Sequence, residues 1–179
     1  MSEQLRGKRI AFLVADEGVE QVELTEPWNA VTDAGGEPTL IAPGGGEVQA
    51  FNHLDKGDVF EAGASTADAD PASFDALVLP GGVANPDQLR RDEDAVAFVR
   101  DFLRSGRTVA AICHAPWTLV EAGVTDGRRL TSWPSLQTDL RNSGATWVDE
   151  EVVVDDNLIT SRRPDDLPAF CRAVVDAVA

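Results

Sequence analysis

Cys113 and His114 are neighbours in "TVAAICHAPW", Thr108 to Trp117, where a short apolar run gives way to a proline and a helix-like segment. A thiol beside an imidazole has the parts of an activated nucleophile. If a strand stops and a helix starts within about two residues, the sharp turn holds the side chain out of the sheet, as in a nucleophile elbow. The positive end of the following helix would then favour the thiolate. An ordinary thiol is only a few per cent ionised at pH 7, so lowering its pKa by about two units raises the thiolate roughly 20- to 30-fold. The other reading is an inert buried cysteine, and the local pattern leaves both open.

The base is constrained by count. The chain has two histidines, His53 and His114. α/β-Hydrolases and class I glutamine amidotransferases place their histidine after the nucleophile, and none follows His114, which excludes both triads in their usual order. The base is therefore the adjacent His114, the distant His53, or absent. His53 reads first as a solvated loop histidine. Acids are offered by "ADEGVEQVELTEPW", which holds Glu17, Glu20, Glu23 and Glu26. A carboxyl buried beside a thiolate would be protonated and act as a hydrogen-bond donor. "LPGGVANPDQL" supplies Gly81 and Gly82, whose free backbone could join the His114 amide in an oxyanion hole.

These residues sit on alternating strand-like and helix-like segments. "RIAFLVA", "PTLIAP", "FDALVLPGG" and "RTVAAIC" read as buried strands. "DEDAVAFVRDFLRSG" is an amphipathic helix with acids at its start and Arg104 near its end. "VELTEPWNAVTDAG" reads as a helix whose regular part starts late because of Pro27. "GGGEVQAFNHLDKGDVFEAGAS" reads as an excursion carrying a hairpin, and Asp155-Asp156-Asn157 as the turn of a second one. "PDDLPAFCRAVVDAVA" closes the chain as a helix that would bury Cys171. Such alternation implies one α/β domain over 1–179, with a mostly parallel sheet covered by helices on both faces. Sites in these sheets gather beyond the carboxyl ends of strands, here "LPGG" and "ICH".

Composition excludes several classes. The net charge of -16 repels nucleic acid and anionic membranes. No apolar run approaches the roughly 20 residues needed to span a bilayer, and "MSEQLRGKR" does not read as a signal peptide, so a cytoplasmic location is expected. Two cysteines and two histidines offer no metal-site spacing, and no cofactor motif is present.

"AFLVADEGVEQVELTEPW", "FDALVLPGGVANPDQLR", "AAICHAPWTLVEAG", "LTSWPSLQTDLRNSGATWVDEEVVVD" and "LITSRRPDDLPAF" together resemble the ThiJ/PfpI family, closest to its intracellular-protease branch. The resemblance runs from about Lys8 to the end. It implies a flavodoxin-like three-layer sandwich related to the class I glutamine amidotransferase domain, an elbow at Cys113, and a homo-oligomer such as a dimer or trimer of dimers. It also implies roles. Cys113 is the nucleophile, Glu20 the acid that hydrogen-bonds the sulfur, and His114 the histidine after it. Asp87 would reach a neighbouring subunit's histidine, and Gly82 with His114 would form the oxyanion hole. Three residues depart from the family pattern, and the first is Asp87, which is shorter than the glutamate of some relatives. Ala115 stands where glycine is common, which would narrow the elbow, and Trp133 stands where some relatives carry tyrosine.

Three functions follow from one reactive thiol. The first is a stress-related cysteine hydrolase acting on peptides. The second is glyoxalase III-type or deglycase chemistry on methylglyoxal or glycated groups. The third is a redox sensor whose sulfinate is held by a protonated Glu20.

Overall fold

The computed structural model describes residues 3–179. In chain order the elements are β1 (Arg9–Leu13), β2 (Glu17–Glu20), α1 (Gln21–Asp33), β3 (Glu37–Ala42), β4 (Glu47–Asn52), β5 (Asp55–Glu61) and β6 (Ala64–Ser65). Then come β7 (Ala76–Leu79), α2 (Ala84–Leu89), α3 (Glu93–Arg104), β8 (Thr108–Ile112), α4 (Pro116–Glu121) and β9 (Arg129–Leu130). The chain ends with α5 (Gln137–Asn142), β10 (Thr146–Trp147), β11 (Val152–Asp155), β12 (Leu158–Ser161) and α6 (Leu167–Val178).

The apolar runs become central strands because they have no polar face to show to water. They form a seven-stranded sheet in the order β11-β12-β8-β7-β1-β3-β6, parallel except for the edge strand β11. Side chains alternate across it. Ala11 and Leu13 of β1, and Val109 and Ala111 of β8, face a core layer with Phe98 and Phe102 of α3 and Leu119 of α4. Ile10, Phe12, Ala110 and Ile112 face the opposite layer with Leu24 and Val31 of α1 and Phe170 and Val174 of α6. Phe12, Phe102 and Phe170 are fully buried, each worth about 1.5–3 kcal/mol relative to exposure. The expected three-layer α/β sandwich is therefore present.

Three details bear on the site. The excursion after β3 is a hairpin, β4–β5, that pairs with β2 in a separate three-stranded sheet. β11 and β12 form the second expected hairpin. The helix expected to start late starts at Gln21 and runs through Pro27. Proline has no N–H, so the Glu23 carbonyl loses its partner one turn on, and burial of Pro27 offsets the loss. Glu23 thereby falls in the first turn of α1 and Glu20 in β2. Cys171, expected to be buried on α6, is half-buried.

Candidate active site

β8 stops at Ile112, and the chain turns at Cys113 with φ of 63°. A non-glycine residue in this left-handed region costs on the order of 1–3 kcal/mol, so its surroundings must hold it there. The Cys113 N–H donates to the Ser161 carbonyl at 3.1 Å, its carbonyl accepts from the Trp133 N–H at 2.8 Å, and the Ala115 N–H closes the turn on Ile112. The β8–β12 pairing supplies Ser161, so the sheet itself fixes the elbow.

The sulfur sits in a built environment. Cys113 is 6% exposed. The Glu23 carboxyl, fully buried, accepts from the Gly81 amide at 2.9 Å. Its Oε1 has no nitrogen or oxygen partner, and the carboxyl's remaining hydrogen-bonding contact is the Cys113 sulfur. The amides of Gly82 and His114 also face the sulfur. His114 Nδ1 lies 3.1 Å from Sγ. The imidazole stacks on Trp133 with centroids 5.6 Å apart and meets the edge of Trp117 at 5.4 Å.

Burial decides the protonation states. It pushes the Glu23 carboxyl from 4.5 up to about 8, with the Glu20 charge adding to the rise, so Glu23 is mostly neutral at pH 7. Burial, and then the charge of Glu23, push the thiol upward against the backbone amides of Gly82 and His114. The thiolate-favouring shift expected from the following helix is thus reversed. α4 has only six residues, and desolvation outweighs its end. Desolvation also lowers His114 to about 4, leaving a neutral imidazole that can accept a proton.

The glycines are sterically required. A Cβ on Gly81 would collide with Glu23 Oε2, Cys113 Cβ and the Ile112 carbonyl. Gly82 has φ of 90° and lies against the Gly18 carbonyl and Glu20 amide. Asn85 ties this turn to the end of β1. Its Oδ1 accepts from the Ala15 N–H at 2.7 Å, and its Nδ2 donates to the carbonyls of Pro80 and Gly81. The sequence reading missed Asn85; a polar residue within a glycine-bounded loop at a strand's carboxyl end was its only signal. Gly81→Ala should lower stability by about 1–3 kcal/mol and slow Cys113 alkylation. Urea unfolding and iodoacetamide labelling check this, and wild-type values would mean that Glu23 and Cys113 do not pack against Gly81.

A cavity of about 710 Å³ opens above the sulfur. It is lined by Cys113, His114, Glu20, Glu23, Asp87 and Trp133, with the hairpin tip around His53 forming one wall. Most candidate residues from the sequence therefore meet in one place, with two corrections, at Glu20 and at Ala115. The acid against the sulfur is Glu23, not Glu20, because α1 starts early enough to turn Glu23 inward. Glu20 instead lines the cavity and accepts from the His53 backbone N–H at 3.0 Å. Ala115 does not narrow the elbow, because its methyl packs in the core layer on the far side of the sheet. Its backbone is right-handed, so glycine is not needed there. Asp87 is exposed at the mouth, and its carboxylate has no hydrogen-bond partner among the described residues. His53, read as a loop histidine, has a strained φ of 57° and faces the cavity. Among the described residues, no cluster of histidine, cysteine or carboxylate groups is arranged to hold a metal ion, and no helix is long and apolar enough to cross a membrane.

An elbow cysteine, a buried acid against its sulfur and an adjacent histidine have a close match among known proteins. The DJ-1/PfpI family model matches residues 8–177. The chain belongs to the DJ-1/PfpI family. It is 46% identical over 172 residues to protein/nucleic acid deglycase 2 of Escherichia coli, covering 92% of this chain and 94% of that one. A deglycase of Pyrococcus horikoshii is 40% identical, covering 93% and 97%. The crystal structure of Drosophila melanogaster DJ-1beta superposes with a TM-score of 0.86 at 30% identity, covering 100% of this chain and 91% of that one. This DJ-1/PfpI protein is an enzyme, as its close relatives are.

Proposed function

We propose that the protein converts α-oxoaldehydes such as methylglyoxal, free or as adducts on amines and thiols, to 2-hydroxy acids through Cys113. The observation that carries this reading is the recessed sulfur held between a neutral carboxyl and a neutral imidazole. Two relatives named as deglycases, at 46% and 40% identity, support it over the peptidase reading placed first by sequence. The thiol of a cysteine that is 6% exposed is reached more readily by a small aldehyde than by a peptide bond within a chain.

The steps balance without an external oxidant. His114 takes the thiol proton as the sulfur bonds to the aldehyde carbon, and the amides of Gly82 and His114, which face the sulfur, are the donors assigned to the oxyanion that develops beside it. Returning the proton to that oxygen gives a hemithioacetal. With an amine adduct, the carbon–nitrogen bond breaks as the carbon–sulfur bond forms, and the amine leaves with the proton. A base, His114 or Glu20, then removes the hydrogen on the former aldehyde carbon, while Glu23 donates to oxygen. Reprotonation at the next carbon yields a thioester of the 2-hydroxy acid. One carbon is oxidised and its neighbour reduced. Water then cleaves the thioester and restores the thiol. For the sensor reading, no second cysteine lines this cavity to resolve an oxidised sulfur, and Cys171 lies on α6 away from it.

A substrate panel separates these readings. Wild-type enzyme should consume methylglyoxal with matching hydroxy-acid formation and should leave fluorogenic peptides essentially uncut. Peptide hydrolysis without methylglyoxal loss would restore the peptidase reading.

A further inference from the structure

β8 and β12 lie side by side and parallel, so their carboxyl ends open onto the same edge of the sheet. Cys113 follows one of them. Arg162 and Arg163 follow the other. The two arginines have opposite fates. Arg162 is neutralised by Asp166, through Nε and Nη2 at 2.9 Å each, and by Asp149 through Nη1 at 2.9 Å. Arg163 forms no ion pair and no side-chain hydrogen bond among the described residues, and its Nε is buried without a partner. Several arginines of this chain pair with no carboxylate, but Arg163 combines that with a buried Nε without a partner and a place against an aromatic ring that lines the cavity.

Its position gives it a use. The guanidinium lies 5.8 Å from the centroid of the Trp133 ring. The same ring stacks on His114, whose Nδ1 contacts the Cys113 sulfur. The following residue, Pro164, lines the cavity. The cation is therefore one stacked ring away from the catalytic imidazole. The cavity, about 710 Å³, is in the range that encloses a drug-sized ligand and is far larger than a three-carbon aldehyde requires.

We propose that Arg163 is an anion subsite that selects aldehyde adducts carried on phosphate- or carboxylate-bearing molecules. This rests on the function proposed above and names its preferred substrates. A guanidinium presents a planar fork of donors that matches both anions, and the Arg163 guanidinium is held by no protein acceptor among the described residues. Stacking on Trp133 orients the guanidinium without neutralising it. Cys113 would attack the adduct carbon while the anionic end of the carrier rests at Arg163.

The test compares matched pairs of methylglyoxal adducts. One pair is on guanosine 5′-monophosphate and guanosine; the other is on N-acetylcysteine and its amide. The first reads phosphate and the second carboxylate. In wild type the anionic member of at least one pair should have the lower KM. Arg163→Gln should reduce the anionic-over-neutral ratio of kcat/KM about 10- to 100-fold, in KM rather than kcat, and Arg163→Lys should restore part of it. Equal KM values within both pairs in wild type overturn the subsite. So does an Arg163→Gln loss of the same size for anionic and neutral members, which would make Arg163 a support for Trp133. Should no adduct be turned over, the proposed function fails while the subsite is still read directly. Tryptophan fluorescence titrated with guanosine 5′-monophosphate should then show salt-sensitive saturation in wild type and none in Arg163→Gln, and identical titrations overturn the subsite.

Discussion

Cys113→Ser should reduce methylglyoxal turnover by at least about 10³-fold while leaving the fold and melting temperature close to wild type. Serine is nearly isosteric with cysteine, and the backbone bonds to Ser161 and Trp133 that hold the left-handed turn do not involve the sulfur. The hydroxyl is a far weaker nucleophile than the thiol it replaces and gives up its proton less readily. Progress curves with stoichiometric hydroxy-acid detection check the loss, and circular dichroism checks the fold. A variant retaining a tenth or more of the wild-type rate would remove Cys113 from the chemistry.

Glu23→Gln should separate stability, thiol reactivity and catalysis. The folded protein holds the Glu23 carboxyl at about 8, against an ordinary value of 4.5. Between those values the unfolded chain ionises Glu23 and the folded chain does not, so stability falls as pH rises through this window. At 1.36 kcal/mol per pH unit the full loss is roughly 5 kcal/mol, with about 3 kcal/mol already lost at pH 7. Glutamine never ionises and keeps a carbonyl for the Gly81 amide. The variant should therefore match wild type near pH 4.5 and exceed it by about 3 kcal/mol at pH 7. Urea titrations at the two pH values read this, and a pH-independent difference contradicts it. The charge that Glu23 gains above pH 8 also raises the thiol, so the variant's cysteine should be alkylated faster there. Turnover should nonetheless fall, by about 10²- to 10⁴-fold, because glutamine has no acidic proton to give.

Much of this was legible in the sequence, for physical reasons. Buried parallel strands write continuous apolar runs, which located β1, β7 and β8. The carboxyl ends of β7 and β8 then gave Gly82, Cys113 and His114. What the sequence hid was orientation. Glu20 and Glu23 differ by three positions, and only the true start of α1 decides which one turns toward the sulfur. Pro27 argued for a later start, and its burial overrode that argument. Ala115 looked like a narrowed elbow because the left-handed residue was not identifiable; Cys113 itself takes that conformation. The direction of the thiol shift was hidden for a related reason. A helix end can be read from a sequence, but the desolvation that outweighs it depends on packing from α1 and the Gly81 turn. The contrast between Arg162 and Arg163 was equally invisible, since it depends on where Asp149 and Asp166 fold.

The most direct test follows ¹³C-labelled methylglyoxal by NMR with wild-type enzyme and no added cofactor. One molecule of lactate for each molecule of methylglyoxal lost, over many turnovers per enzyme, is the predicted result. Methylglyoxal that disappears only in proportion to enzyme, or persists unchanged, would contradict the account.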